Sequence, residues 1–170
     1  KYKDIPALCA PQIGIKERVI VLKYKGKSGK DDFYKEYINP RIFKAENYHL
    51  VREKDVSIPD KEFISPRPFK IFIEYQTEEA RPETNVLKGN SAEVFDRLMN
   101  YLDGVTLDDY GLEIIPEFDK TNQKEQQQVI DAYLKSFKLK ADLLNKEIEK
   151  DKDARELRDA IKFMANVQEG

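Results

Sequence analysis

Hydrophobic residues follow two kinds of spacing along this chain, and the change from one to the other divides it. Before residue 116 they form short runs of strand length between turn-forming residues: Glu17 to Tyr24 (ERVIVLKY), Glu36 to Phe43 (EYINPRIF), Tyr48 to Glu53 (YHLVRE) and Phe69 to Thr77 (FKIFIEYQT). In the last run Ile71, Ile73 and Tyr75 alternate with Phe72, Glu74 and Gln76, which predicts one strongly apolar face and one mixed face. Lys25 to Asp32, KGKSGKDD, reads as a polar turn joining two runs. Over 91–103 the spacing becomes helical, with Ala92, Phe95, Met99 and Leu102 at three- and four-residue intervals. Ser91 is the expected N-cap of that helix and Gly104 its expected stop. Strands gathered around one core helix make an α+β pattern with a mixed or antiparallel sheet.

After Pro116 the chain contains no further proline, and Ile130, Leu134, Phe137, Ala141, Leu144 and Ile148 recur at alternating four and three residues. That is a heptad seam. Its phase is lost in EKDKD and resumes at Ala154, Leu157, Ile161 and Met164, with Asp153 and Glu156 placed as a capping box after a break. Two readings fit the seam: a helix packed on its own domain, and an arm that packs on another protein through Ile130, Leu134, Phe137, Leu144 and Ile148. We therefore expect a core domain over 1–115 and a C-terminal helical extension over 116–170.

Charge and composition narrow the picture. The 170 residues hold 30 Lys and Arg against 32 Asp and Glu, a balance that argues against a globally basic nucleic-acid binder. Local contact stays open, and Lys23, Lys25, Lys27 and Lys30, in and beside one flexible turn, are the candidate RNA phosphate contacts. No run of eighteen apolar residues exists, so no membrane span is expected. Cys9 is the single cysteine and cannot form an internal disulfide, which fits a reducing compartment. His49, the single histidine, is expected to be a surface or packing residue rather than a ligand. Because the sequence opens on Lys1 without an initiator Met, we expect further residues before it, a targeting peptide included.

Several segments, taken in order, resemble the peptide deformylase family. Leu8, Ala10, Pro11, Gln12 and Gly14 match the first motif, GxGLAAPQxG; Cys9 stands where the family has Ala, and Ala7 where it has the second Gly. EYINPRIF is similar to the family's INP strand. In EKDVSIPD, Glu53, Ser57 and Pro59 match the second motif, EGCLSxPG. SPRPFKIFIEYQT resembles the family's segment of arginine, proline and alternating strand. GNSAEVFDRLMNYLDG falls on the third motif, GLxARVxQHEIDHLxG, without a gap, matching at Gly89, Ala92, Val94, Leu102 and Gly104.

The resemblance implies a deformylase-like fold over about residues 5–110, lacking the family's N-terminal helix. It also implies a metal held by a cysteine and two histidines, a glutamate that shuttles a proton, and a glutamine that binds the substrate carbonyl with a backbone N–H of the second motif. In this chain Asp55 falls on the cysteine position, Arg97 and Tyr101 on the histidines and Leu98 on the glutamate, whereas Gln12 and the backbone of Val56 persist. Two positive charges about 4 Å apart repel by roughly 4 kcal/mol at an effective dielectric of about 20, so Arg97 opposes a metal there. Two readings of Arg97 stand: an internal ion pair with Asp55, Tyr101 filling the volume of the second imidazole, and a side chain turned outward to solvent.

From this the expectation is a chain with no cofactor and no catalytic role. It would be a structural component of a larger assembly, most plausibly the mitochondrial ribosome in the matrix, with ribosomal proteins and rRNA as partners. Two rivals stand beside it: a free module that binds peptides or formyl-methionine through Gln12, and an enzyme of altered chemistry around Asp55, Asn100 and Tyr101.

Overall fold

The computed structural model describes residues 6–137. The chain divides into two units, Lys1–Ile115 and Pro116–Gly170. In the first, six strands form one sheet: β1 (Ala7–Cys9), β2 (Val19–Tyr24), β3 (Phe33–Asp55), β4 (Ile58–Gln76), β5 (Pro82–Lys88) and β6 (Leu112–Glu113). β1 to β5 are neighbours in sequence order, with β6 on β4, and every pairing is antiparallel. A 3-10 turn, Ala10–Ile13, follows β1; helices α1 (Asn90–Leu102) and α2 (Leu107–Tyr110) follow β5.

Sequence periodicity placed three of these strands, β2 to within two residues at its start, but undercounted the length of β3 and β4. The runs at 36–43 and 48–53 are one strand of 23 residues, and the run at 69–77 is the end of a 19-residue strand. Polar residues between the runs suggested loops. They are instead absorbed by irregularities in the ladder, where register shifts lie between Ile38 and Arg41, Ile42 and Lys44, and Glu53 and Asp55, with Asn39 and Asn47 at positive φ. β5, PETNVLK, carries too few apolar residues to announce itself and forms because β4 offers it a ladder from Lys70↔Lys88 to Gln76↔Pro82.

The predicted inner face of β4 is realised. Ile71, Ile73 and Tyr75 are buried in one cluster with Ile20 and Leu22 of β2, Tyr37 of β3 and Leu87 of β5. α1 lays Ala92, Phe95, Leu98, Met99 and Tyr101 on that face. Tyr37 anchors the layer, edge-on to Phe95 at 5.2 Å and to Tyr75 at 4.7 Å, with its hydroxyl 2.6 Å from that of Tyr24. The expected Ser91 cap is not used. Gly89 (φ 60°) is the N-cap, and its N–H donates to Phe69 O at 2.7 Å, so β4 sets where α1 begins. After α1, Gly104 takes φ 77° and its N–H returns to Tyr101 O at 3.1 Å.

The second unit is helical where it is described: α3 (Pro116–Lys120), then α4 over 123–137. Asn122 caps α4, its Oδ1 accepting from Glu125 N–H at 3.0 Å. Ile130, Tyr133, Leu134 and Phe137 are half-buried along one side of α4, and the rings of Tyr133 and Phe137 are 6.2 Å apart. The remaining seam positions, Leu144 and Ile148 included, and the break near Asp153 lie outside the described residues.

Candidate functional site

Three segments converge below the C-terminal half of α1: the 3-10 turn, the tip of the β3–β4 hairpin at Val56 and Ser57, and the helix itself. Gln12 links the first two. Cys9 N–H donates to Gln12 Oε1 at 3.0 Å, and because an N–H can give only to the oxygen, this orients the amide. Gln12 Nε2 therefore faces inward and donates to Asp55 Oδ1 at 3.1 Å and Ser57 Oγ at 2.8 Å. Ser57 N–H also donates to Asp55 Oδ1, at 2.8 Å, closing an Asx turn that makes the hairpin tip. Both amide protons of Gln12 are thus used within the protein. Burial pushes the neighbouring Cys9 thiol up to about 11, a shift that backbone hydrogen bonding at Gln12 opposes and the Asp55 carboxylate reinforces.

Behind this turn lies a buried charge cluster. Arg67, 1% exposed, bonds Glu53 through both Nε (3.0 Å) and Nη2 (3.2 Å), and its Nη1 reaches Asp96 Oδ2 at 2.8 Å. Asn100 Oδ1 accepts from the same Nη1, and the guanidinium stacks over the Tyr110 ring at 4.5 Å. Burial works against the Arg67 charge, but Glu53 and Asp96 more than offset it and hold the guanidinium above its ordinary value. Burial pushes the Asp96 carboxyl up, against the pull of Arg67. Arg97 stands between the cluster and the hairpin tip. Its Nη1 is 3.4 Å from Glu53 Oε1, and its Nε is 3.3 Å from Asp55 Oδ2. The second contact is close enough for an ion pair but too far out of line for a hydrogen bond, so the Nε–H has no acceptor.

Tyr101, one turn further along α1, is 8% exposed, and its hydroxyl is buried with no hydrogen-bond partner among the described residues. Burial and then the Asp55 carboxylate raise the phenol well above its usual range, so it stays a protonated donor. The same residue lines an open cleft of about 460 Å³ with Pro11, Gln12, Ser57, Ile58 and Thr106. Val56, 55% exposed, sits at the hairpin tip beside Ser57, and Leu98, 1% exposed, is a core residue under the sheet.

The other candidates separate from this site. Lys23 belongs to β2 and pairs with Asp32 at 3.2 Å. Lys25, Lys27 and Lys30 are exposed on the following turn. His49 lies on β3, bonds Glu93 at 2.8 Å and packs its ring toward Phe69.

Sequence reasoning gave no role to Arg67 or Asp96. A signal existed for the first. Arg67 has the parity of Phe63, Ser65, Ile71 and Ile73, all on the buried side of β4, and a cation at such a position requires buried partners.

The arrangement does not fit the metal implied by the deformylase motifs. Both oxygens of Asp55 face donors or a cation already, Arg97 brings a permanent charge to the same place, and Tyr101 is held protonated. Among the described residues, no group of three or more His, Cys, Asp and Glu side chains is arranged to hold a metal ion.

A six-stranded antiparallel sheet wrapped on one helix, with the three motif segments meeting at the helix end, defines a deformylase-type α+β protein. The polypeptide deformylase family model matches residues 2–113, and the chain belongs to that family. It is 31% identical over 109 residues to peptide deformylase 2 of Clostridium acetobutylicum, spanning 69% of that protein and 64% of this chain. To the peptide deformylase of Synechocystis it is 30% identical over 99 residues, which are 58% of this chain and about half (52%) of that relative. Among solved structures it is similar to the peptide deformylase of Thermotoga maritima, with TM-score 0.56, 28% identity and coverage of 63% of this chain and 69% of that one. It is also similar to a probable peptide deformylase of Synechococcus phage S-SSM7, with TM-score 0.57, 29% identity and coverage of 62% and 71%.

These likenesses correct two expectations. The reading of the chain as a non-catalytic pseudoenzyme is overturned: the matched family and both relatives carry the name of an enzyme, and nothing in the comparisons marks the chain as inactive. The reading as a ribosomal structural component fails with it, since the relatives named here are deformylases and not ribosomal proteins.

Proposed function

We propose that the cleft at Tyr101 receives the N-terminal end of a peptide, the substrate class in the relatives' names, and that the Tyr101 hydroxyl donates to a carbonyl oxygen of it. The observation that carries this reading is the buried phenol without an acceptor beside an open cleft where the three motif segments meet. A donor left unpaired in the free protein costs about 1–3 kcal/mol of desolvation, which a ligand oxygen would recover. Gln12 supports the cleft from behind, holding Ser57 and Asp55 in place through Nε2. Pro11 and Ile58 give the cleft apolar lining.

The test is a calorimetric titration with an N-formyl-methionyl tripeptide and its N-acetyl and unblocked counterparts, followed by an assay for released formate on the same samples. Saturable binding weakened roughly tenfold (~1.4 kcal/mol) in Tyr101→Phe supports the reading. Absence of binding by all three peptides at millimolar concentration ends it. Formate release would extend it to the reaction in the relatives' names.

A further inference from the structure

We infer that the Arg97 guanidinium, held in a buried ion-pair lattice with Asp55, Glu53, Arg67 and Asp96, fills the place of a metal ion, so that this unit completes its site without a divalent cation. The inference does not depend on the peptide reading. It rests on where the charges are, not on which ligand enters.

Three observations carry it. The lattice is continuous from the hairpin tip to the core: Asp55 to Arg97 at 3.3 Å, Arg97 to Glu53 at 3.4 Å, Glu53 to Arg67 at 3.0 Å and Arg67 to Asp96 at 2.8 Å. It is also buried, with side-chain exposures of 4% for Asp55, 13% for Arg97, 4% for Glu53, 1% for Arg67 and 15% for Asp96. In such surroundings charges are weakly screened, and an added divalent cation would meet a guanidinium at contact range. Finally, the protein supplies its own cation at this place: the Arg97 guanidinium lies between the carboxylates of Asp55 and Glu53, within 3.3 and 3.4 Å. The guanidinium fork also supplies several directed donors at once, the geometric role that an ion plays for its ligands.

The experiment is elemental analysis of the purified protein together with thermal melts in the presence of a chelator and of added Zn²⁺, Ni²⁺ or Fe²⁺. The expected result is well below one metal per chain and a melting temperature indifferent to chelator and metal. One tightly held metal per chain, with a melting temperature lowered by the chelator, would overturn the inference. A triple variant, Asp55→Cys with Arg97→His and Tyr101→His, adds a gain-of-binding arm. Removing the guanidinium and supplying neutral or thiolate ligands should yield close to one Zn²⁺ or Ni²⁺ per folded chain. If that variant folds with the wild-type circular dichroism spectrum and stays metal-free, the lattice is not what excludes the ion. Should it fail to fold, the wild-type melts decide alone.

Discussion

Arg97 and Tyr101 lie four residues apart on α1 and face the same hairpin tip, yet the interior treats them differently. Arg97 is caught between two carboxylates. The Tyr101 hydroxyl has no acceptor among the described residues. A double-mutant cycle on Arg97 and Asp55 should show coupling of about 1–3 kcal/mol in urea unfolding, because the pair is buried and shares partners; coupling within error of zero would mean the 3.3 Å contact is incidental. Tyr101→Phe removes an unsatisfied hydroxyl and should leave stability unchanged or raised by about 1 kcal/mol while weakening peptide binding. Stability and ligand affinity moving in opposite directions is the signature to look for. Arg67→Met should be the costliest single change in the site, about 3–5 kcal/mol, since it strands Asp96 and leaves Glu53 only its 3.4 Å contact with Arg97. Cys9 adds a pH dependence. Its folded-state thiol is raised to about 11 from the ordinary 9.0, so its contribution to stability is fully present below about pH 9 and is lost as pH rises toward 11. The stability loss between pH 8.5 and 10.5 should therefore be steeper in the wild type than in Cys9→Ala, measured by denaturant titration at each pH.

Among the elements, the β3–β4 hairpin organises the site, because its tip carries Asp55 and Ser57 while its body carries Glu53 and Arg67. Reading runs of apolar residues cut this hairpin into shorter strands. A ladder tolerates interior polar residues where bulges or positive-φ asparagines turn them outward, and apolar spacing alone does not record such accommodations. α1 was legible in its extent and its buried face, since Ala92, Phe95 and Met99 repeat at helical spacing. Its N-cap was not, because the backbone carbonyl that receives Gly89 N–H comes from a strand twenty residues earlier. α2 packs close behind the site: at Gly111, just after it, a Cβ would stand 2.9 Å from Ser65 Oγ and 3.0 Å from Phe63 Cβ. Gly111→Ala should consequently destabilise the first unit by about 1–3 kcal/mol through crowding, checked by thermal melting. An unchanged melting temperature would mean that β6 moves aside freely.

For the whole molecule, the order of motif segments along the chain points to the family, because each segment keeps its backbone-determining residues. Gln12, Gly89 and Gly104 hold turns, caps and a network that the fold needs whatever stands at positions 55, 97, 98 and 101. The change of hydrophobic period after residue 116 was likewise visible, and the described residues 123–137 are helical. What the sequence by itself determined was therefore local and periodic: strand faces, the extent of α1, the family, and which residue types occupy the motif positions. Only the tertiary structure decided how those residues are paired. Arg97 was expected to meet one carboxylate or solvent and meets two carboxylates, while Arg67 and Asp96, far apart in sequence, complete the lattice. The reason is physical. Spacing along a chain specifies direction on a strand or helix, but the partner of a buried charge is set by which elements pack together, and that is a property of the folded whole.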